Sequence, residues 1–293
     1  MSIPVAILGT GNIARDLFRK IQRSEVMDLA LVAGRSSTSD GLAEARYYSK
    51  DISTDSIDGI VNYGADRIKI VFDTTSAEAH KEHHVVLVSN GIKSIDLTPS
   101  GCGKVIIPAV NIEEALGCDD ISLVSCGGQA SIPIICALTN AARRHGLEVD
   151  YVELTTSVST LSVGPATRLN VDDYILHTEE AISFFSRCFA KVILCINPAE
   201  PPVNMQNSIS IRVRGNGLRN IDWMKLTGSV SNAVRTYAPG WLMISPPSIM
   251  GEDRLFVSVT VTGKGDYLPS YSGNLDIITS AAVRVGEYIL CQN

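Results

Sequence analysis

Hydrophobic residues in the first half of the chain form short continuous runs that are separated by amphipathic stretches. Runs without polar alternation are typical of strands covered on both faces, and the spacing of Ile13, Leu17 and Ile21 is that of one face of a helix. Strands are predicted at residues 5–8, 29–32, 68–72, 94–97 and 123–124, with helices between them. This alternation predicts a doubly wound parallel sheet with right-handed crossovers.

Residues beyond 146 follow a different pattern, in which polar and apolar side chains alternate along longer segments. Such alternation is typical of a mixed or antiparallel sheet with one covered and one solvent-exposed face. Strands are predicted at residues 151–158, 208–213 and 255–261, and helices near residues 172–187 and 221–236. The second half is therefore predicted to be an α+β domain.

The last segment, residues 276–290, again carries apolar residues at helical spacing, and we expect it to return to the first domain. The predicted division is a first domain over residues 1–125, joined by a C-terminal helix over residues 274–293, and a second domain over residues 126–273. A chain of 293 residues is long enough for two domains of ordinary size.

The composition, with 45% hydrophobic and 19% charged residues, is that of a globular protein. A formal net charge of -6 provides no basic surface for nucleic acid or an anionic membrane, so small molecules and proteins are the expected partners. No run reaches the ~18 apolar residues of a membrane span, and no basic segment precedes an apolar one at the start, which predicts a cytoplasmic protein. Seven cysteines without CxxC pairs indicate free thiols in a reducing compartment, and argue against a disulfide framework and a zinc site.

Residues 9–14, GTGNIA, follow the first predicted strand and begin the first predicted helix. This is the context that the G-x-G-x-x-G/A dinucleotide fingerprint requires, because its glycines permit a tight turn and the helix N-terminus attracts a pyrophosphate. Glycines at such a turn also serve packing alone, but a series of βαβ units that starts here favours dinucleotide binding. Gly9 and Gly11 are therefore candidate cofactor-binding residues.

The end of the second predicted strand bears on which dinucleotide binds. An acid that would hold the ribose 2′-hydroxyl is missing there, and Arg35, followed by Ser36 and Ser37, stands in its place. An arginine with hydroxyl groups is the type of cluster that accommodates a 2′-phosphate, which favours NADP over NAD. The alternative is that Arg35 is only a solvated loop residue.

Cys126 lies in the segment VSCGGQASIP, residues 124–133, between a predicted strand at 121–125 and a predicted helix at 132–145. At a helix N-terminus a thiol meets the positive end of the helix dipole, which favours the thiolate, and Gly127 and Gly128 leave room for a substrate. Backbone N–H groups of the same turn are expected to hold an oxyanion. The alternative is a small buried hydrophobe, which we accept for the other six cysteines, whereas the flanking glycines favour a nucleophile at Cys126.

Three histidines stand close together, and two of them, His80 and His84, share one helical face. The third is His83, and no acid or cysteine near the three in the sequence completes a ligand set. A capped or exposed helix is therefore predicted, and a metal site is not. His145 lies near a predicted helix C-terminus, where a cation is favourable.

Several separated motifs follow one another along the chain. They are FDTTSAEAH at residues 72–80, IDLTP at 95–99, SCGGQASIP at 125–133, SVGPATRLN at 162–170, INPAEPP at 196–202 and YLPSYSGNLDIITSAA at 267–282. In these motifs the chain resembles the CoA-acylating acetaldehyde dehydrogenases, which act in the breakdown of aromatic compounds alongside a 4-hydroxy-2-oxovalerate aldolase. The resemblance covers nearly the whole chain.

The resemblance implies a Rossmann-type doubly wound parallel sheet plus an α+β catalytic and dimerisation domain like that of aspartate-semialdehyde dehydrogenase. It implies that Cys126 becomes the acyl-thioester, with NAD or NADP as cofactor and coenzyme A as co-substrate. The implied partners are an aldehyde or acyl-CoA substrate, a second copy of the chain in a homodimer, and an aldolase. The cofactor-contacting positions that it implies are Thr10, Gly11, Asn12, Ile13, Ser162, Val163, Gly164, Pro165, Ala166, Thr167, Arg168, Leu169, Asn170 and Asn274.

Three features depart from the family's pattern. Arg35 stands where the family has an acid, which concerns the choice between NAD and NADP, and residues 162–168 read SVGPATR instead of SAGPGTR, which makes the pocket beside the nicotinamide slightly fuller. Asn207 stands where the family has an aspartate that assists the cysteine, and an amide cannot take a proton. Glu200, in the rigid NPAEPP loop, is a candidate substitute base, and the alternative is that it is a solvated loop carboxylate.

The leading hypothesis is an acylating aldehyde dehydrogenase, which interconverts an aldehyde plus CoA with an acyl-CoA. A second hypothesis keeps the fold and replaces CoA with phosphate, as in a phosphorylating semialdehyde or aldehyde dehydrogenase. A third is a non-catalytic dinucleotide-binding partner of an aldolase, which Asn207 favours and the retained CGGQ motif disfavours. The acyl group itself is not predicted, because distant segments form its pocket.

Overall fold

The computed structural model describes residues 2–164, 168 and 170–292. The chain divides into two compact units. Unit 1 comprises Met1–Val124, Gly265–Leu268 and Ile278–Asn293, and unit 2 comprises Ser125–Lys264 and Pro269–Ile277. The assignment of cofactor binding to the first unit and of catalysis to the second stays a prediction.

Unit 1 is built on a parallel sheet whose strand order is β3-β2-β1-β4-β5-β7-β6. The order runs outward in both directions from β1, as in a doubly wound sheet, and this confirms the predicted fold class. The strands are β1 (Ile3–Leu8), β2 (Met27–Ala33), β3 (Asp51–Ser53), β4 (Ile70–Asp73), β5 (Lys93–Asp96), β6 (Lys104–Val105) and β7 (Asp120–Ser122). The helices are α1 (Asn12–Gln22), α2 (Asp40–Ala45), α3 (Ser56–Tyr63), α4 (Ala77–Ser89) and α5 (Pro108–Asn111), and a 3-10 helix follows at Ile112–Gly117.

The central strands of unit 1 are apolar because both of their faces are covered. Val5, Ala6, Ile7 and Leu8 of β1 are all fully buried, which explains their unbroken apolar run. One side of the sheet packs a core that includes Leu31, Ile60, Ile68, Val71, Leu87 and Ile92. Burial on both faces therefore makes this sheet readable from sequence.

Three details of unit 1 differ from the prediction. The strand predicted at residues 123–124 is wrong, because β7 ends at Ser122 and Val124 turns into the left-handed region with φ of 55°. The side chains of Leu123 and Val124 are both buried, so their apolar character resembles that of a strand. Strands β3 and β6 were not predicted, because three and two residues are too short to show a pattern.

Unit 2 contains a mixed five-stranded sheet in the order β11-β12-β10-β8-β9, with β8 and β9 parallel and the other pairs antiparallel. This confirms the predicted α+β half. The strands are β8 (Glu148–Ser159), β9 (Phe189–Asn197), β10 (Met205–Arg214), β11 (Trp241–Met250) and β12 (Arg254–Val261). The helices are α6 (Cys126–Arg144), α7 (Val171–Ser186) and α8 (Trp223–Arg235), with 3-10 helices at Thr160–Ser162 and Leu218–Asn220.

Two edge strands of this sheet were not predicted. In β11, Pro246 and Pro247 argue against a strand, and prolines are tolerated there because β11 lies at the sheet edge. In β9, Phe189 and Ile193 occupy the exposed face, so the alternation of polar and apolar residues is lost. The same exposed apolar side chains matter for assembly below.

Helix α9 (Gly273–Gln292) begins in unit 2 and continues as part of unit 1 from Ile278 onward. Within unit 1, Thr279 Oγ1 donates to Asp16 Oδ2 of α1 at 2.5 Å. The segment from Ile278 onward thus groups with unit 1, and the predicted domain division itself stays a prediction. Across the described ranges, no helix combines the length and the apolar character that a membrane span needs.

Candidate active site

The segment before Cys126 is a strained turn. Val124 is a β-branched residue at φ of 55°, a conformation that such residues rarely adopt and that concentrates at functional sites. Ser125 then caps α6, because its Oγ accepts a hydrogen bond from the N–H of Gly128 at 3.0 Å. Cys126 is consequently the first residue of a capped helix that follows a parallel strand.

Helix α6 begins six residues earlier than the predicted helix at residues 132–145. Gly127, Gly128 and Pro133 are poor helix formers, and they all lie inside α6. Packing outweighs these propensities: Gly127, Gly128 and Pro133 are buried, and the indole N–H of the buried Trp241 donates to the carbonyl of Ala130 at 2.8 Å. The predicted boundary is therefore wrong, whereas the predicted position of Cys126 at a turn into a helix is correct.

The Cys126 thiol contacts one phenol. Its Sγ lies 3.5 Å from the Oη of Tyr174, and the backbone N–H of Gly127 donates to the same Oη at 3.1 Å. Burial raises the pKa of the Cys126 thiol, while the hydrogen bonds to Tyr174 and to the backbone at Gly127 act in the opposite direction. The preference for thiolate that the helix N-terminus predicts stays a prediction.

Tyr174 belongs to α7 and was missed by the sequence analysis. It is only 5% exposed, and burial raises the pKa of its phenol well above the ordinary value. One turn later on the same helix, Thr178 Oγ1 lies 2.7 Å from Oγ of the capping Ser125. A tyrosine and a threonine four residues apart on a helix face were the available signal, and they give α7 two polar contacts with the start of α6.

The glycine after the cysteine is required by the phenol. A Cβ at position 127 would lie 2.5 Å from Tyr174 Oη and 2.6 Å from Thr156 Oγ1. These distances are too short for any side chain, so glycine lets the tyrosine approach the thiol. Gly127 therefore serves this contact in addition to leaving room for a substrate.

The expected oxyanion donors of this turn are largely occupied. The N–H of Gly127 donates to Tyr174, and that of Gly128 donates to Ser125. The N–H of Gln129 donates to the carbonyl of Ser125 as in a regular helix. The expectation that backbone N–H groups of this turn hold an oxyanion is wrong for these three groups, since they already have acceptors.

Asn207 lies on β10 and is 1% exposed. Its Nδ2 donates to the carbonyl of Gly127 at 3.2 Å and to Oγ of Ser131 at 2.6 Å, so both amide hydrogens are directed to α6. Its Oδ1 is buried and has no partner among the described residues. Asn207 thus holds the first turns of α6 and makes no hydrogen bond to the thiol.

Glu200 lies in the loop after β9 and is exposed. Among the residues that the structure describes, it makes no hydrogen bond and no ion pair. Its surroundings are those of a solvated loop carboxylate, and its role as a substitute base stays a prediction.

The glycine turn of unit 1 has the shape that the fingerprint predicts. Gly9 has φ of 113°, and a Cβ there would lie 2.4 Å from Thr74 Oγ1, whereas Gly11 has open space around it and begins α1 without any side-chain cap. Thr10 is held by the hydroxyl of Ser39, which donates to its Oγ1 at 2.8 Å. Gly11 and Asn12 are exposed, and Gly9, Thr10 and Ile13 are half-buried. The uncapped N–H groups at the start of α1 can donate hydrogen bonds to a phosphate.

Arg35 and Ser36 follow β2 and are both exposed. Ser36 Oγ lies 2.8 Å from Thr38 Oγ1. Arg35 forms no ion pair with the part of the chain that the structure describes. This exposure fits the predicted 2′-phosphate contact and the solvated-loop alternative equally, and the choice between them stays a prediction.

The other predicted cofactor positions lie in unit 2. Ser162 and Val163 are buried and Gly164 is half-buried, while the guanidinium of Arg168 donates to the carbonyl and the hydroxyl of Thr160 at 3.0 and 3.1 Å. Asn274, near the start of α9, donates to the carbonyl of Ser162 at 3.4 Å, and its Oδ1 is buried without a partner among the described residues. Asn170 precedes α7. The predicted positions Pro165, Ala166, Thr167 and Leu169 lie outside the described residues.

Unit 1 also contains a buried cluster of histidines and acids, which the sequence analysis did not foresee. His80 Nδ1 donates to Asp73 at 2.9 Å and its Nε2 to Asp120 at 3.3 Å, while Asp96 lies 3.8 Å away. His83 donates to Asp73 and His84 to Asp120, each at 2.8 Å. Of the two predicted alternatives, the capped helix is present, because Ser76 caps α4, whereas the exposed helix is wrong for His80, which is fully buried.

This cluster contains the candidate metal ligands of the described residues. His80, His84 and Asp120 each offer one ligand atom, and these atoms lie within 4.8 Å of one another. Asp120 is 36 residues from His84 in sequence, which is why no acid seemed to complete the set. Both ring nitrogens of His80 already donate to carboxylates, so the hydrogen bonds account for the cluster as an ion-paired network. The absence of a metal stays a prediction.

The fold resembles that of a known dehydrogenase. The chain superposes on aspartate semialdehyde dehydrogenase II of Vibrio cholerae, solved with ASA, with a TM-score of 0.64 over 100% of this chain and 99% of that one. At 14% identity this likeness shows the fold alone. The two units thus have the architecture of that dehydrogenase.

Sequence comparison identifies the family. The model for "Prokaryotic acetaldehyde dehydrogenase, dimerisation" matches residues 126–269. Acetaldehyde dehydrogenase of Carboxydothermus hydrogenoformans is 40% identical over 98% of this chain and 93% of its own length. Those of Spirochaeta aurantia and Burkholderia thailandensis are 42% and 40% identical over 97% of this chain, and 94% and 93% of theirs. The chain belongs to the acetaldehyde dehydrogenase family, which is a family of enzymes, and the resemblance drawn from its motifs is confirmed.

Proposed function

We propose that this chain is an acylating aldehyde dehydrogenase that carries its acyl group on Cys126. The observation that supports this most directly is the placement of Cys126 as the first residue of a capped helix, after the strained Val124 and before two glycines. Membership of the acetaldehyde dehydrogenase family agrees with this chemistry.

The chemistry of Cys126 has three steps. The thiolate adds to the carbonyl carbon of an aldehyde, the carbonyl electron pair moves to oxygen, and that oxygen takes up a proton from water to give a thiohemiacetal. Loss of a hydride from that carbon and of the hydroxyl proton leaves a thioester on Cys126. The thiol of coenzyme A then attacks the thioester, which transfers the acyl group and releases Cys126. Each step is reversible, so the same residue serves the reduction of an acyl-CoA.

A nicotinamide dinucleotide, when bound, supplies the acceptor or donor of the hydride. The residues of unit 1 fit it: Gly11 leaves open space where a Cβ would stand, Gly9 allows the turn to pass close to Thr74, and the uncapped start of α1 with Thr10, Asn12 and Ile13 would hold a pyrophosphate. Arg35 and Ser36 are exposed where a 2′-phosphate would lie, which supports NADP over NAD. In unit 2 we assign cofactor contacts to Ser162, Val163, Gly164, Arg168, Asn170 and Asn274.

The functional unit is proposed to be a homodimer formed through unit 2. The family's dimerisation domain matches this unit, and the free face of its sheet carries exposed apolar side chains. These are Phe189 and Ile193 of β9 and Leu242, Ile244 and Met250 of β11. A patch of this kind on a single chain is typical of a protein interface. An aldolase partner in the cytoplasm is a proposal that rests on the resemblance alone.

The experiment is a spectrophotometric assay of NADH and NADPH oxidation with a panel of acyl-CoA thioesters. We expect turnover that falls about 10⁴-fold or more in Cys126→Ala, as for loss of other enzymic nucleophiles. Cys136→Ala is the matched control, because Cys136 is a buried thiol of the same helix whose pKa burial raises to about 12. Turnover that survives in Cys126→Ala would contradict the proposal. Activity that requires phosphate and ignores CoA would support the phosphorylating alternative.

A further inference from the structure

The hydrogen bonds around Cys126 bring the Tyr174 hydroxyl into contact with the thiol. A backbone N–H can only donate, so Tyr174 Oη accepts the hydrogen of Gly127 at 3.1 Å. The phenol's own hydrogen is available to a neighbouring acceptor: Cys126 Sγ lies 3.5 Å from Oη, and the hydroxyl of Thr156 is the phenol's other side-chain partner. The arrangement therefore suits a phenol that donates to sulfur.

No other side chain in the described ranges supplies a donor or a charge to this sulfur. Both amide hydrogens of Asn207 are directed to α6, and Glu200 is exposed without an ion pair among the described residues. Burial raises the pKa of the Cys126 thiol, so a thiolate here needs a compensating donor. Tyr174 is the side-chain donor that the geometry provides, beside the backbone at Gly127 and Cys126.

We propose that Tyr174 is a catalytic residue of this chain, whose phenol donates a hydrogen bond to the Cys126 thiolate. The inference rests on the proposed function, because it assigns a role within the same reaction. Tyr174 keeps its proton throughout. The Cys126 thiol loses its proton to water, the phenol stabilises the resulting thiolate, and the sulfur electron pair then forms the bond to the carbonyl carbon.

With this role for Tyr174, helix α7 becomes part of the proposed active site. The Ser125 and Thr178 hydroxyls, 2.7 Å apart, fix α7 against the start of α6, and glycine at position 127 allows the phenol to reach the sulfur. The amide of Asn207 then has a positioning role, since it fixes the backbone of Gly127, whose N–H orients the phenol.

The test measures the protonation of Cys126 without any substrate. Alkylation of the Cys126 peptide by iodoacetamide is followed by mass spectrometry across a range of pH, in the full-length protein and in Tyr174→Phe. Loss of one hydrogen bond to an anion is expected to raise the midpoint by about one unit or more, and to slow alkylation near neutral pH about tenfold. The kcat/KM for acyl-CoA reduction is expected to fall in parallel.

Tyr237→Phe is the matched control. Tyr237 is a buried tyrosine of the same unit, burial raises the pKa of its phenol, and its hydroxyl has no partner among the described residues. We expect its removal to leave the Cys126 alkylation profile unchanged. An unchanged profile in Tyr174→Phe as well would overturn the proposal.

A second variant guards against misfolding of Tyr174→Phe. A 3-fluorotyrosine placed at position 174 keeps the shape of the side chain and is a stronger donor, so the alkylation midpoint should move down. A midpoint that stays in place or moves up would overturn the proposal. The alkylation measurements need no turnover, so their outcome is independent of the Cys126→Ala assay. If Cys126→Ala loses activity while Tyr174→Phe keeps the alkylation midpoint, the proposed role of Tyr174 is wrong and the proposed function stands.

Discussion

The two units bury ionisable groups in contrasting ways. In unit 1, Asp73, Asp96 and Asp120 surround the fully buried His80, and each carboxylate accepts hydrogen bonds from a histidine, a hydroxyl or the backbone. In unit 2, the Cys126 thiol has a single phenol beside it. The comparison indicates that a buried network with complete partners supports the fold, whereas a buried group with few partners is left available for chemistry.

The pKa shifts follow this difference. Burial lowers the pKa of His80, but hydrogen bonds to Asp120 and Asp73 and the nearby Asp96 raise it to about 11. Burial raises the pKa of Asp96 to about 7. Burial acts in the same direction on Asp73, but hydrogen bonds from His80 and His83 hold the pKa of that carboxyl below its usual range. At Cys126 the balance is reversed, because burial prevails over its one side-chain partner and raises the thiol pKa.

The largest effect is expected from His80→Gln, which removes the cation from the network. Two buried carboxylates then lose their common partner, and breaking a buried ion pair costs about 3–5 kcal/mol of unfolding free energy. Urea denaturation measures this cost. In the control His84→Gln, the side chain is 34% exposed and its pair with Asp120 is expected to contribute less than about 1 kcal/mol. Equal losses in the two variants would contradict the central position of His80.

Asn207→Asp puts a buried charge against the first turns of α6, where no cation among the described residues is placed to pair with it. The new carboxylate oxygen would face the carbonyl of Gly127, which now accepts from the Asn207 amide. We expect a loss of about 1–3 kcal/mol in unfolding free energy near pH 8, and a smaller loss near pH 5, where the buried acid can hold its proton. Urea denaturation at the two pH values measures both losses.

The exposed Asn204→Asp is the control for this substitution and should stay within about 0.5 kcal/mol of the parent. A cost in Asn207→Asp that does not change with pH would contradict the view that a buried charge causes the loss.

The smallest change, when taken over a single pH unit, is expected from Asp96→Asn, which concerns pH dependence. The pKa of Asp96 is raised from 3.8 to about 7 in the folded chain, so its contribution to stability is present below its unfolded value and is lost as pH rises toward 7. His80, with its raised pKa, loses its contribution at higher pH still, and Asp73 and Asp120 act in the opposite sense at low pH.

Asp96→Asn removes the titration of Asp96 and keeps the hydrogen bonds of His80 to Asp120 and Asp73, which also raise the His80 pKa. Relative to the parent, we expect its unfolding free energy to gain up to about 1.4 kcal/mol per pH unit between pH ~4 and ~7. Urea denaturation at several pH values in this window measures the slope. Parallel curves for the two proteins would mean that Asp96 is ionised throughout, contrary to the expected result.

The periodic parts of the molecule were readable from sequence, and the site was readable only in part. Buried runs such as that of β1 and alternation such as that of β10 follow directly from which faces are covered. Cys126 was identified because a thiol between a strand and two glycines is unusual. Helix α6 was misplaced at its start, since tertiary contacts outweigh the propensities of Gly127, Gly128 and Pro133.

The contacts that set the chemistry depend on pairs distant in sequence. Tyr174 is 48 residues from Cys126, and Asp120 is 40 residues from His80. Neither pairing leaves a local pattern, because the partners meet only when helices pack on their sheets. For the same reason the shared polarity of Tyr174 and Thr178 on one face of α7 was visible in the sequence, but the partner of that face was not.

The most direct test of the account is to trap the acyl group on Cys126. The protein is incubated with acetyl-CoA in the absence of any nicotinamide cofactor, and the products are examined by mass spectrometry of the intact chain and its peptides. We expect release of free CoA and an acetyl group on the Cys126 peptide, removable by hydroxylamine and absent in Cys126→Ala. An active protein that never carries the acetyl group on Cys126, or a Cys126→Ala variant that is acetylated equally, would contradict it.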